Sequence, residues 1–214
     1  MKKHILILVS LALCIVFATC EKPEPKPESK PQPEPGPVTL TFSEKIIIDL
    51  GSSDENVLEF VTASDNSAVS VSGIDYDKAG EQEGTFKTGD VRVKKKVYVK
   101  TDKLAGDYEL TIDGDPSRYS CSISQSATDY NKIRINGDLF GIGSNFSVDA
   151  FGQGDTLTME EFNFELEWGE EVPVTGVGSF EKLESGVYQV KEMTLTVTFA
   201  ADDKEVFELT FMKQ

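Results

Sequence analysis

The side chains that most often carry out catalysis are scarce in this chain. It contains one histidine, His4, and three cysteines, Cys14, Cys20 and Cys121. A cleavage point is predicted just before Cys20, so the mature chain would have no histidine, and Cys121 would be its one unmodified thiol. This composition excludes Ser-His-Asp triads, Cys-His pairs and histidine-ligated zinc. We therefore expect a protein that is not an enzyme.

Cys121 alternates with Tyr119 and Ile123 in a segment typical of a β-strand. This pattern favours a buried thiol that packs as a small hydrophobic side chain. The alternative is a reactive thiol, which would need an exposed and electropositive setting.

Carboxylates are abundant and could support glycoside hydrolysis or calcium binding. Six glutamates lie close together in sequence: Glu160, Glu161, Glu165, Glu167, Glu170 and Glu171. Several of them alternate with Phe162, Phe164 and Leu166, which indicates the solvated face of a sheet rather than a catalytic pair. Asp113-Gly114-Asp115 favours a turn over a calcium loop. We expect no metal and no cofactor, and a carboxylate-based hydrolase is the enzymatic alternative.

A basic strand in an otherwise acidic chain is the first candidate binding feature. Residues 91–100 read VRVKKKVYVK, which places Arg92, Lys94, Lys96 and Tyr98 on one face. Such a face could dock an acidic glycan or a protein, with Tyr98 as an aromatic platform. The alternative is that these cations pair with acidic residues of a neighbouring strand, such as those of 107–113.

A glycine-rich stretch at 141–155, GIGSNFSVDAFGQGD, is the second candidate. It has no Lys or Arg to hold a phosphate and predicts two turns around a strand. Because binding residues concentrate on loop tips, we take Phe140, Asn145 and Phe151 as candidates there. Trp168 continues the alternating Phe162–Phe164–Leu166 face and is expected in the core or at its edge.

The elements that must position these residues are strands, since apolar residues alternate with polar ones almost everywhere after Pro37. About seven short segments in 38–127 predict an Ig-like β-sandwich, at 38–42, 45–50, 57–62, 69–76, 91–100, 107–112 and 118–124. KLAGDYELTI (103–112) resembles a late hairpin of bacterial Ig-like domains. After a boundary at 126–131, further segments in 128–214 predict a second antiparallel domain, at 133–140, 145–151, 156–168, 187–199 and 205–212. This domain could be a meander, a sandwich or a small barrel. The expected fold class is all-β, with two tandem domains.

The N-terminus predicts export and anchoring. Lys2 and Lys3 precede an apolar run from Ile5 to Phe17, which is too short to span a bilayer and is typical of a signal peptide over 1–19. FATC (17–20) resembles a bacterial lipobox, with Phe17 and Thr19 departing from its usual residues. The resemblance implies that Cys20 carries acyl chains such as palmitate. The alternative is ordinary secretion with an incidental cysteine.

Residues 20–37, CEKPEPKPESKPQPEPGP, form a proline-rich tether. Its composition favours extended polyproline II, which would reach about 50 Å at roughly 3.1 Å per residue. The chain has a formal net charge of −16, which becomes −18 once Lys2 and Lys3 are removed (19 basic against 37 acidic residues). Such acidity argues against nucleic acid as a partner.

The lipobox-like cysteine, the tether and the β pattern together resemble the surface lipoproteins of Bacteroidota-type envelopes. This resemblance implies a protein of the outer membrane, anchored by lipid and exposed at the cell surface. The expected function is non-enzymatic binding of a glycan or a protein partner. The alternative is a structural or adhesion subunit of an envelope or fimbrial assembly.

Overall fold

The computed structural model describes residues 36–137, 146–165, 169–200 and 203–214. Within them, the chain is built almost entirely of β-strands, which confirms the expected all-β class. Residues 37–214 form one compact unit. No helix in these ranges is long and apolar enough to cross a membrane. The signal peptide, Cys20, the tether up to residue 35, Phe140, Asn145 and Trp168 all lie outside the described residues.

The first part of the chain forms two small sheets. Its elements are β1 (Leu40–Phe42), β2 (Ile46–Ile48), α1 (Asp54–Leu58), β3 (Val61–Ala63), β4 (Ser70–Ser72), β5 (Gly80–Thr88), β6 (Val91–Val99) and the 3₁₀ helix η1 (Asp102–Leu104). Strand β1 pairs with β3, and the second sheet has the order β2-β6-β5-β4. The β2–β6 pair is parallel, whereas β4–β5 and β5–β6 are antiparallel.

The rest of the chain forms a closed eight-stranded barrel. Its strands are β7 (Gly106–Ile112), β8 (Tyr119–Gln125), β9 (Lys132–Gly137), β10 (Phe146–Gln153), β11 (Thr156–Glu165), β12 (Glu171–Lys182), β13 (Tyr188–Ala200) and β14 (Asp203–Lys213). Each strand pairs antiparallel with the next in sequence, and β14 closes the barrel by pairing with β7. This is an up-and-down barrel, one of the forms expected for the second half.

The division of the chain differs from the prediction. Strands β7 and β8 were assigned to an Ig-like sandwich over 38–127, but they pair within the barrel, so no break between sheets falls at 127/128. The inward faces of these strands carry Tyr108, Leu110, Cys121 and Ile123, all buried. Such alternation suits a sandwich and a barrel equally well, and the choice depends on pairing with β9 and β14, which are distant in sequence.

Residues 37–105 contact one end of the barrel. Ala79 and Gly154, in the β10–β11 turn, exchange backbone hydrogen bonds of 2.8 and 2.9 Å. The side chain of Gln153 bonds the backbone of Glu81, and the Thr101 N–H donates to the Tyr130 carbonyl at 3.1 Å. The buried side chains of both parts form one continuous hydrophobic core. The barrel end that holds the β8–β9, β10–β11 and β12–β13 turns is therefore the end where the two parts meet.

Candidate functional site

The basic strand β6 is largely neutralised by its neighbour β5. Lys94 Nζ lies 2.6 Å from Glu83 Oε1 and Lys96 Nζ lies 2.7 Å from Glu81 Oε1. Hydrogen bonding to these carboxylates raises the pKa of both lysines. Cross-strand pairing, the alternative weighed from the sequence, is thus confirmed, although the acidic partners belong to β5 and not to 107–113. A free cationic face does not form at Lys94 and Lys96.

Arg92 lies nearer the far end of β6. It is exposed and sits directly opposite Lys87 of β5, so two cations face each other there. Like charges directly opposite each other in a sheet repel. Arg92 is also six residues from Tyr98, which separates it from the aromatic part of the strand.

Tyr98, by contrast, lies beside a second tyrosine. Its ring centroid is 4.9 Å from that of Tyr130, with an interplanar angle of 64°. Lys45 Nζ lies 5.5 Å from the centre of the Tyr98 ring, within the range of a cation–π contact. Both tyrosines are half-buried. Burial first, and then the nearby Glu81 carboxylate, raises the pKa of Tyr130 above its usual range.

Tyr130 lines a cleft of about 360 Å³ at the shared end of the barrel. The other lining residues that matter for binding are polar or charged: Lys45, Lys100, Asp102, Ser126, Thr128 and Asp129. We call this feature, together with the adjoining Tyr98 ring, the tyrosine cleft. It combines an aromatic surface with side chains that can donate or accept hydrogen bonds.

The loop that carries Tyr130 is held in place by Gln125 and Thr101. The buried Thr101 hydroxyl donates to Gln125 Oε1 at 2.9 Å. Gln125 Nε2 in turn donates to the carbonyls of Asp129 and Tyr130 at 2.9 and 3.0 Å. Because these bonds fix the loop backbone, Tyr130 is positioned before any ligand arrives, which lowers the entropic cost of binding.

Two charged side chains that line the cleft are also fixed. Lys100 Nζ lies 2.8 Å from Asp49 Oδ1. Asp102 Oδ1 accepts the backbone N–H of Leu50 at 3.1 Å. The cleft thus contains a lysine and a carboxylate in fixed orientations, which can exchange hydrogen bonds with a polar ligand.

Phe151 lies beside a neighbouring cleft on the other side of the 125–128 segment. Lys132 Nζ is 5.1 Å from its ring centre, and Lys132 also lines this second cleft of about 270 Å³. Asp149 lies in the same wall, between Lys132 Nζ at 2.8 Å and Arg134 Nε at 2.7 Å. Phe151 is partly exposed, but it lies within strand β10 and not on a loop tip, and it does not line the tyrosine cleft.

Sequence reasoning missed Tyr130 and Lys45. Residues 126–131, SATDYN, form the domain boundary predicted from the sequence, so Tyr130 was not among the candidate binding residues. The available signal was one aromatic residue within a run of turn-forming polar residues, a pattern typical of a binding loop. In the part of the chain that the structure describes, no group of three or more His, Cys, Asp or Glu side chains could hold a metal ion.

The fold defines the class of this protein, which is an all-β protein with a closed eight-stranded barrel. It does not define a family. Comparison with protein-family models, with curated proteins and with solved structures found no match.

Proposed function

We propose that this chain is a lipid-anchored, non-enzymatic protein of the cell envelope that binds a glycan in the tyrosine cleft. The observation that carries the proposal is the pair Tyr98 and Tyr130 beside a polar cleft of about 360 Å³. An aromatic ring offers its face to the C–H groups of a pyranose, while the surrounding hydroxyl, ammonium and carboxylate groups match sugar hydroxyls. A volume of about 360 Å³ lies within the usual range of small-ligand sites in proteins.

The anchoring part of the proposal comes from the sequence. The basic start, the short apolar run and FATC ending at Cys20 support a lipoprotein signal, and the proline-rich tether supports display away from the membrane. Several acyl chains on one cysteine would hold the protein firmly, since each buried methylene contributes about 0.8 kcal/mol.

Binding is tested with the full chain purified in detergent and applied to an array of neutral and acidic glycans. For a glycan that binds, Tyr130→Ala and Tyr98→Ala should each weaken affinity about tenfold or more, since roughly 1.4 kcal/mol corresponds to one decade. Tyr76→Ala is the matched control, because Tyr76 is also half-buried and its hydroxyl bonds Asp54, outside the cleft. The Tyr76→Ala variant should bind the glycan with the wild-type affinity.

Two results would count against glycan binding. One is wild-type affinity in the Tyr130→Ala variant. The other is an array without a single bound glycan, together with an envelope protein that co-purifies in fixed stoichiometry, which would favour the structural alternative.

Anchoring is tested separately by labelling cells with radioactive palmitate. Cys20→Ser should abolish incorporation of the label and release the protein from the membrane fraction. Cys14→Ser is the matched control and should remain labelled. A labelled, membrane-bound Cys20→Ser variant would overturn the assignment of Cys20 as the lipidated residue.

A further inference from the structure

Three lysines converge on a second pocket at the same end of the barrel. The pocket, of about 450 Å³, lies between the segment after β2, the 3₁₀ helix η1, the β12–β13 turn and the end of β14. Lys103, Lys182 and Lys213 line it, together with Tyr188 and the apolar side chains of Leu50 and Val187. We call it the lysine pocket.

This concentration of cations runs against the charge of the molecule. Residues 37–214 contain 16 Lys and Arg against 33 Asp and Glu, a net charge of 16 − 33 = −17. Two carboxylates accompany the three ammonium groups: Asp77 Oδ1 lies 2.9 Å from Lys182 Nζ, and Asp102 Oδ2 lies 3.8 Å from Lys103 Nζ. The named groups therefore leave one positive charge in excess.

Lys213 accounts for that excess. Its Nζ donates to the carbonyls of Lys103 at 2.8 Å and Tyr188 at 3.3 Å, and lies 5.8 Å from the centre of the Tyr108 ring. Among the described residues, no carboxylate lies within 4.0 Å of this ammonium group. Two of its three N–H donors are used, and the third has no hydrogen-bond acceptor among the described residues. Burial lowers the pKa of this amine.

The remaining side chains hold the pocket open in a fixed shape. The Tyr188 hydroxyl and the Lys182 ammonium both donate hydrogen bonds to the Asp77 carboxylate. A single carboxylate therefore orients the tyrosine and the lysine. A side chain at Gly51 would clash with the Tyr188 ring, since its Cβ would lie 2.8 Å from the hydroxyl oxygen. Tyr188 therefore packs directly against the backbone of the segment after β2.

We propose that the lysine pocket binds an oxyanion group, a carboxylate or a sulfate, carried on a body about the size of a monosaccharide. The oxyanion supplies the counter-charge that Lys213 lacks, and charge-assisted hydrogen bonds from Lys103 and Lys182 add to it. The volume exceeds that of an inorganic ion, and Leu50 and Val187 provide an apolar wall for the rest of the ligand. This site is separate from the tyrosine cleft and does not depend on the function proposed there.

The test is a titration of the full chain with sodium glucuronate and with sodium sulfate at constant ionic strength, followed by the NMR shifts of the Gly51, Gly186 and Tyr188 amides. Saturable shifts are expected with both anions, with tighter binding of glucuronate. Lys213→Met should weaken binding about tenfold or more. Lys191→Met, which removes an exposed lysine of β13 outside the pocket, is the matched control and should bind as wild type.

Because Lys213 also bonds two carbonyls, its substitution could disturb the end of β14. Lys103→Met provides a second variant, since the Lys103 side chain is about half exposed and its ammonium, within the described part of the chain, has only the 3.8 Å contact with Asp102. It should weaken binding about threefold. The proposal would be overturned if glucuronate and sulfate gave amide shifts that do not saturate and that match those caused by chloride. It would also be overturned if the Lys213→Met, Lys103→Met and Lys191→Met variants bound the anions with equal affinity. Binding to phosphatidylglycerol vesicles without binding to either free anion would overturn it as well.

Discussion

At the scale of single residues, Asp149 is held between two cations on the wall of the barrel. Its side chain is only 12% exposed, and Arg134 and Lys132 both bond its carboxylate. The hydrogen bond from Arg134, above all, lowers the pKa of Asp149 to about 2. A carboxyl with a lowered pKa in the folded state stabilises the fold above its unfolded pKa of about 3.9, and this contribution is lost as pH falls through the folded pKa.

We expect Asp149→Asn to lower the free energy of unfolding by about 2 kcal/mol at neutral pH. The difference in free energy of unfolding between the variant and the wild type should shrink as pH falls from about 4 to about 2, because the Asp149 carboxylate of the native wild type becomes protonated there. Urea denaturation at several pH values measures this. Asp90→Asn, in the exposed turn between β5 and β6, is the control. A difference independent of pH would show that the ion pair is not its source.

Cys121 is a second residue whose behaviour follows from its surroundings. The side chain is 5% exposed inside the barrel, and burial raises the pKa of its thiol to about 12. The buried position predicted from the sequence is thus confirmed. Since the thiolate is the reactive form, native protein should react with a thiol reagent only as fast as it unfolds. Stoichiometric labelling before any loss of structure, measured by absorbance and circular dichroism together, would contradict this.

At the scale of elements, alternation of apolar and polar residues located most of the barrel. The segments expected at 107–112, 118–124, 187–199 and 205–212 correspond to β7, β8, β13 and β14 within two residues at each end. Their inward faces are regular because each strand has one face in the core. The pattern could not reveal which strands pair, because pairing depends on contacts that are distant in sequence.

Two strands escaped prediction because their composition is unfavourable for strands. β12 contains Pro173, Gly176 and Gly178, and β5 begins with the polar, glycine-containing GEQEG. Both lie inside sheets, so tertiary packing overrides weak local propensity. Conversely, residues 57–62 were expected to be one strand, whereas α1 ends at Leu58 and β3 starts at Val61. Strand alternation could indicate the tyrosine cleft only through Tyr98, because Tyr130 lies in a loop, where alternation carries no information.

The glycines of β12 have a packing role that can be tested. A Cβ on Gly178 would lie 2.5 Å from the backbone oxygen of Glu192, whereas a Cβ on Gly176 would meet the flexible Met159 sulfur at 2.5 Å. Gly178→Ala should therefore destabilise the fold by about 2 to 3 kcal/mol, and more than Gly176→Ala, because backbone cannot move aside as a thioether can.

Val177→Ala is the matched control for this pair. Val177 lies between the two glycines on the outward face and is 55% exposed, so its truncation should change stability by less than about 0.5 kcal/mol. Denaturant unfolding of the three variants gives the comparison. Equal effects of Gly176→Ala and Gly178→Ala would refute the explanation by backbone contact.

At the scale of the whole molecule, both candidate sites lie at the end of the barrel where residues 37–105 attach. The tyrosine cleft includes residues of β2 and of the β8–β9 loop, and the lysine pocket joins the segment after β2 to the β12–β13 turn. Neither site would exist on the barrel alone. The small sheets thus complete both candidate sites and also extend the core.

The barrel also defines which parts of the chain must fold together. A fragment of residues 128–214, the second domain expected from the sequence, would lack β7 and β8 and would leave the edges of β9 and β14 unpaired. It would also lose the buried side chains of Tyr108, Leu110 and Ile123 from the core. Open edges and a depleted core favour aggregation over folding. We expect this fragment to show no cooperative thermal transition.

Residues 37–214 should instead unfold in a single cooperative transition, since one continuous core joins the barrel and the small sheets. Differential scanning calorimetry of the fragments 37–214 and 128–214 tests whether each unfolds cooperatively. For 37–214, the calorimetric enthalpy of unfolding should equal the van't Hoff enthalpy. Two separate transitions in 37–214, or cooperative melting of 128–214, would restore the division at 127/128. Because β14 pairs with β7 at the seam, removing residues 203–214 from the longer chain should abolish its transition as well.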